Sequence, residues 1–250
     1  MVSQQQCVFI TGGNAGIGLA TALRFADEGI DVAIFSRRSE LNTSARKLIE
    51  NKGVRCLALD GDVTEERSVR EAIEKTCNEF GGLTYGFNNA GAQQSVKPLI
   101  DLSLEEYHQQ MNVNVLGTFL GLKYMIPAIK ASGGGAICNN ASAAGLIPSA
   151  MQAVYGAAKF AVVGMTKGAA LECAKDGVRV NVVCPGATTG TMWLKFEEDH
   201  PDRAAMALEK HPLGRVGDKE EVASAALYLC RDATFTTGHA FTVDGGRTLR

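Results

Sequence analysis

The chain has few features that would mark it for secretion, metal binding or nucleic acid. Its seven cysteines are Cys7, Cys56, Cys77, Cys138, Cys173, Cys184 and Cys230, an odd number at scattered positions with no CxxC pair. Such a set argues against a disulfide framework. It fits reduced thiols packed as small hydrophobes in a cytoplasmic protein. The four histidines, His108, His200, His211 and His239, lie far apart and show no ligand spacing, so no metal site is expected. Lys and Arg total 25 against 27 Asp and Glu, a net charge of −2. Without a basic excess, phosphate-backbone binding and hence a nucleic-acid partner are not expected. No run approaches ~18 consecutive apolar residues, so no membrane span is expected. The first ten residues lack the basic and apolar regions of a secretory signal.

Apolar residues make up 46 % of the 250 and charged residues 21 %, which excludes wholesale disorder. Short β-branched runs alternate with helical stretches from end to end. Strands are predicted over Cys7–Ile10, Asp31–Phe35, Val54–Leu59, Leu83–Phe87, Gly135–Ala141, Val178–Val183 and Ala240–Val243. Between them, helices are predicted over Gly16–Glu28, Ser39–Asn51, Glu65–Phe80, Ser103–Ala131, Gln152–Asp176 and Glu220–Cys230. Seven strands alternating with helices predict an α/β fold: one doubly wound, Rossmann-type domain over residues 1–250, with a seven-stranded parallel sheet covered on both faces. The stretch Ala187–Lys219 breaks the rhythm. It holds the sole tryptophan, Trp193, and two of the six prolines, and is read as an irregular excursion over a substrate site.

The first strand runs straight into Thr11-Gly12-Gly13-Asn14-Ala15-Gly16-Ile17-Gly18, and a helix follows. A glycine-rich strand–helix turn lets backbone N–H groups and the helix N-terminus approach a pyrophosphate. Ser36, Arg37 and Arg38 stand at the end of the second strand, where a carboxylate would bind the 2′-hydroxyl of an adenosine ribose. Arginine suits a 2′-phosphate instead, through charge-assisted, often bidentate hydrogen bonds. The cofactor expected is therefore NADP(H) in preference to NAD(H).

Tyr155 and Lys159 are four apart in a helical stretch, so phenol and ammonium share one face. A nearby cation favours the phenolate and would lower a tyrosine pKa toward neutrality. Ser142 lies past an apolar strand, and a strand's carboxyl end and the helix after it face the same crevice. Ser142 and Tyr155 can thus converge on one substrate oxygen.

These motifs together resemble the short-chain dehydrogenase/reductase family along essentially the whole chain. Thr11–Gly18 is similar to its T-G-x-x-x-G-x-G cofactor turn, and Asp62-Val63 to its adenine-flanking pair. Asn88-Asn89-Ala90-Gly91 matches its N-N-A-G element, Pro185-Gly186 its P-G turn, and Asp244-Gly245-Gly246 its closing element. Asn114, Ser142, Tyr155 and Lys159 match its catalytic tetrad. The resemblance implies hydride transfer between a nicotinamide cofactor and a small carbonyl or secondary-alcohol substrate. Tyr155 would be the general acid/base and Ser142 would hold the substrate oxygen. Lys159 would depress the tyrosine pKa and hold the ribose, and Asn114 would hold a relay water. The cofactor set it implies is Gly12, Asn14, Gly16, Ile17, Gly18, Ser36, Arg37, Arg38, Asp62, Val63, Asn89, Ala90, Gly91, Tyr155, Lys159, Pro185, Gly186, Thr188 and Thr189. The family's carboxamide-binding threonine falls on Gly190 here, with Thr188, Thr189 and Thr191 around it. The Y-x-x-x-K spacing is narrower than that of the enoyl reductase branch. The two arginines that meet an acyl-carrier protein align with Gly133 and Asp176, with Lys130 and Lys175 nearby. Two alternatives stay open: an NAD(H)-preferring alcohol, sugar or steroid dehydrogenase of the same family, and a cofactor-binding regulatory protein without turnover. The small-residue face over Gln152–Asp176 implies a homotetramer, as in similar family members.

Overall fold

The computed structural model describes residues 5–249; of the domain expected over 1–250, residues 1–4 and 250 lie outside the described residues. Seven strands form one parallel sheet in the order β3-β2-β1-β4-β5-β6-β7. They are β1 (Cys7–Thr11), β2 (Asp31–Ser36), β3 (Cys56–Asp60), β4 (Tyr85–Asn88), β5 (Gly135–Asn140), β6 (Val178–Pro185) and β7 (Ala240–Val243). The order reverses between β1 and β4, and that switch point opens a crevice at the carboxyl ends of the strands.

Alternation along each strand divides the core. Val8, Ile10, Val32 and Ile34 point to one face, where α1 (Gly16–Ala26), α2 (Ser39–Glu50) and α9 (Lys219–Leu227) cover them. Phe9, Ala33 and Phe35 point to the other, under α3 (Glu66–Phe80), α5 (Gly117–Ala131) and α6 (Ala153–Cys173). Both faces of β1 are buried and, from Cys7 to Ile10, apolar, as a buried parallel strand requires. Each fully buried phenylalanine contributes about 1.5–3 kcal/mol relative to exposure.

Two expectations change. The helix predicted over Ser103–Ala131 runs without a break from Leu104 to Ala131 but carries a π-helical turn. α4 (Leu104–Met111), opened by a Ser103–Glu106 capping box, passes through a π-helical turn, Asn112–Leu116, into α5. A π-turn inserts one residue into the helical ladder, and no 3.6-residue pattern reports it. The excursion Ala187–Lys219 is not irregular. It holds α7 (Thr191–Asp199) and α8 (Pro201–Glu209), the latter with proline at its first position, where the missing N–H costs nothing. Among the described residues no helix is long and apolar enough to cross a membrane.

Candidate active site

The crevice is a single cavity of about 790 Å³. Every site residue expected from the sequence lines it except Gly18. Gly18 lies behind the turn, where a Cβ would come within 2.1 Å of the Gly12 carbonyl oxygen. Helix α1 can therefore approach β1 this closely only with glycine at that position. Gly12 has φ +65°, a left-handed conformation, and Gly16 has φ +54° with nothing within 4 Å of a Cβ on its cavity side.

The turn is braced from both neighbouring strands. The Thr11 hydroxyl accepts the N–H groups of Asn89 and Ala90, at 2.9 and 3.0 Å. The Asn89 side chain donates to the Thr11 carbonyl and accepts from Asn140 Nδ2 at 2.9 Å. On the β2 side Asn14 Nδ2 donates to Ser36 Oγ and to Asn42 Oδ1, and Ser36 Oγ donates to the same Asn42 oxygen at 2.6 Å. Asn42, fully buried in α2, also donates to Asp60. The Asn14 and Ser36 side chains are thus occupied with each other and with Asn42. Arg37 and Arg38 remain at the rim. Arg37 is 71 % exposed and leans on Asp62 at 3.7 Å, and Asp62 also caps Thr64. Val63 packs against Gly117 at the helical junction.

At the other side of the switch point lie the four tetrad residues. The π-turn presents Asn114, whose Nδ2 donates to the Ala92 carbonyl and to Gln110 Oε1, both at 3.1 Å. Ser142, just past β5, accepts from the Ala144 N–H at 3.1 Å. Lys159 is buried, and its Nζ donates to the Asn140 carbonyl at 3.0 Å. That ammonium sits 5.7 Å from the centroid of the Tyr155 ring. Burial pulls the Lys159 pKa down to about 8. Burial also pushes the Tyr155 phenol above its ordinary range, and a hydrogen bond with Ser142 opposes this. Desolvation sets the net direction of the Tyr155 shift here, and the Lys159 ammonium, over the ring and bonded to the Asn140 carbonyl, does not reverse it.

Two supporting glutamines have roles the sequence does not give: it places Gln94 only within a pocket segment, Gln93–Val96, and Gln110 in no site at all. Gln94, buried on the loop after β4, accepts from the Tyr155 N–H at 2.8 Å and donates to the Met151 carbonyl at 3.2 Å. It therefore caps the first turn of α6 and pins Met151, whose φ of +67° is the sole left-handed non-glycine among the described residues. Gln110 seats Asn114 in the same way.

Beyond Pro185-Gly186 the chain crosses the glycine turn. Gly190 has φ +148°, and a Cβ there would meet Gly16 Cα at 3.7 Å, so the position aligned with the family's threonine has a backbone conformation that favours glycine. Thr188 Oγ1 donates to the Gly186 carbonyl, while Thr189 Oγ1 accepts the Lys219 N–H. His211 clamps the end of α8: its Nε2 accepts from the Ala187 N–H at 3.1 Å, and its Nδ1 lies 2.7 Å from the Ala207 carbonyl. α7 and α8 add Met192, Trp193, Phe196, Arg203, Met206 and Lys210 to the wall.

A family described as Enoyl-(Acyl carrier protein) reductase matches residues 12–248. Cyclohexanol dehydrogenase of Acinetobacter sp. (strain SE19) is 38 % identical over 246 residues, covering 96 % of this chain and 94 % of that one. A solved structure of NAD+-bound xylitol dehydrogenase is 31 % identical with a TM-score of 0.93, covering 98 % of this chain and all (100 %) of that one. ElxO with NADP bound is 33 % identical with a TM-score of 0.90, at 98 % and 100 % coverage. The chain belongs to the short-chain dehydrogenase/reductase family and is an oxidoreductase.

Proposed function

We propose that the protein is an NADP(H)-preferring dehydrogenase/reductase that interconverts a secondary alcohol and a ketone on a small, largely apolar body. The observation that carries this reading is the single cavity joining the glycine turn and Arg37-Arg38 at one end to Asn114, Ser142, Tyr155 and Lys159 at the other. The residues fit a nicotinamide dinucleotide. Gly16 leaves the N-terminus of α1 open to the cavity for a pyrophosphate, and Arg37 and Arg38 stand exposed at the rim for a 2′-phosphate, Arg37 leaning on Asp62. The cofactor supplies or accepts the hydride when bound. Tyr155 donates a proton to the carbonyl oxygen in reduction and takes it back in oxidation. Its raised pKa keeps the phenol protonated at neutral pH, which suits the acid role. Ser142 holds the same oxygen. Lys159, still charged below about pH 8, stabilises the phenolate formed when the proton leaves. Asn114, held by Ala92 and Gln110, stands at the rear of the site to orient a relay water.

The relative that acts on cyclohexanol, together with the apolar wall of Met151, Met192, Trp193 and Phe196, favours an alicyclic substrate. An acyl-carrier substrate is disfavoured. Lys130, one of two cations near the positions aligned with the carrier-binding arginines, is tied to Asp176 at 2.9 Å. All seven cysteines are free, in keeping with a cytoplasmic protein. A homotetramer is supported by the outer faces of α5 and α6, where Phe119 and Phe160 are each 46 % exposed and Gly164 and Gly168 meet no neighbour within 4 Å. A screen of alicyclic, sugar and acyclic alcohols and ketones with NADP(H) and NAD(H) tests the function. Turnover of cyclohexanol or cyclohexanone with NADP(H) is expected. Binding of cofactor without oxidation or reduction of any of them would favour a non-catalytic role.

A further inference from the structure

The far end of the cavity carries charge that the reaction above does not use. Arg203 in α8 and Lys210 at the C-cap of that helix lie seven residues apart, with Met206 and Ala207 between them at helical spacing, and all four line the cavity. Arg247 joins them from the last turn of the chain. Gly246, beside it, packs so tightly on Pro212 that a Cβ would come within 2.9 Å of the proline ring. None of the three cations has an ion pair or a side-chain hydrogen bond among the described residues. The sole acidic residue of the cavity wall among them is Asp62, at the opposite end beside Arg37. Three cations without an ion pair among the described residues line the same cavity as Trp193 and Phe196, with no acidic side chain on the wall but Asp62, and so favour an anion within it.

We infer that the substrate is a secondary alcohol or ketone whose apolar body carries an anionic group, such as a carboxylate, held by Arg203, Lys210 and Arg247. This rests on the dehydrogenase reading for the reacting end of the molecule, but the anion site itself does not depend on turnover. The body lies against Trp193, Phe196 and Met206, and the hydroxyl or carbonyl reaches Tyr155. Charge-assisted hydrogen bonds from arginine then fix which end of the substrate points inward.

Trp193 is the sole tryptophan, so its fluorescence reports on this cavity directly. The protein with NADP+ is titrated with cyclohexanecarboxylate and with the uncharged cyclohexanecarboxamide. The carboxylate is expected to bind at least about tenfold more tightly, the effect of one charge-assisted hydrogen bond. The Arg203→Ala/Lys210→Ala variant should lose that preference, and the charge-conserving Arg203→Lys should keep most of it. Equal binding of the two probes, or a preference that survives in the double variant, overturns the proposal. So does a double variant that weakens NADP+ and leaves the preference intact, since the cations would then serve the cofactor. The same protein is assayed with 4-hydroxycyclohexanecarboxylate and its methyl ester, the acid being the expected better substrate. If neither turns over while the fluorescence preference stands, the dehydrogenase reading fails and the anion site remains. If both turn over equally and no preference is seen, the anion site fails and the dehydrogenase remains.

Discussion

At one end of the cavity the wall is main chain and glycine; at the other it is long side chains. The dinucleotide end is built by Gly12, Gly16 and Gly18, by Thr11 bonding two N–H groups of the β4 loop, and by the buried Asn14–Ser36–Asn42 cluster. In the proposed function backbone dipoles and a helix N-terminus do the recognising, so the geometry tolerates little change. The far end is made by α7 and α8, where Met192, Trp193, Phe196, Arg203 and Lys210 project from two short helices latched by His211. A ligand common to many enzymes is held by a fixed turn. A ligand particular to one is held by side chains that can be exchanged without disturbing the sheet.

Three substitutions sharpen the contrast, in order of decreasing effect. The largest concerns Arg37. Each charge-assisted bond to a 2′-phosphate contributes about 1.5–3 kcal/mol, so Arg37→Asp should weaken NADPH by roughly ten- to a hundredfold and leave NADH little changed. Titration of both cofactors against the unmodified protein and the variant checks this. Equal affinities for the two cofactors in the unmodified protein would remove the assignment.

The next concerns Gln94, a positioning residue. Gln94→Leu strips the cap from the Tyr155 N–H and frees Met151. The kcat should fall about tenfold, since a small displacement of a catalytic group is costly, while the cofactor Kd holds. Gln94→Glu, which keeps the acceptor, should recover part of the loss. A merely structural role would lower the melting temperature of both variants and leave kcat of the folded fraction unchanged.

The smallest effect concerns stability and pH. The Lys159 pKa is about 8 in the fold, below its unfolded value. Between those values the unfolded chain binds more protons, so the lysine's contribution to stability rises with pH from about 8 upward. Lys159→Met lacks that increment. The Tm of the unmodified protein minus that of the variant should therefore grow between neutral and alkaline pH, by a few degrees at roughly 2–4 °C per kcal/mol. A difference that stays flat or shrinks would show that the buried ammonium is not destabilised.

What could be read in advance follows the same division. The sheet and its helices were legible because apolar runs alternate with amphipathic ones, and β7 came out with both ends as predicted. The glycine turn and the tetrad were legible because each motif falls directly after a predicted strand. The π-turn under Asn114 was not, since an inserted residue leaves no trace in composition. Gln94 was legible only as part of the pocket segment Gln93–Val96, and its role and that of Asn42 were not, because a lone polar residue gains meaning only from the groups it meets across the fold. α7 and α8 fall in the stretch that the sequence reads as irregular, although Met192, Trp193 and Phe196 keep helical spacing and Pro201 opens a helix. Their short amphipathic turns were masked by the prolines and charges around them.

In the proposed reaction Tyr155 moves the proton at one end of a cavity whose other end binds the cofactor. Tyr155→Phe removes the hydroxyl and keeps the ring. Reduced nicotinamide formation with cyclohexanol and NADP+ is followed in the unmodified protein and in the variant, alongside the cofactor Kd of each. The predicted result is a kcat at least ~10²-fold lower, in line with general acid/base contributions, with the Kd unchanged. A variant that keeps more than about a tenth of the kcat, well above what loss of a general acid/base leaves, would contradict it.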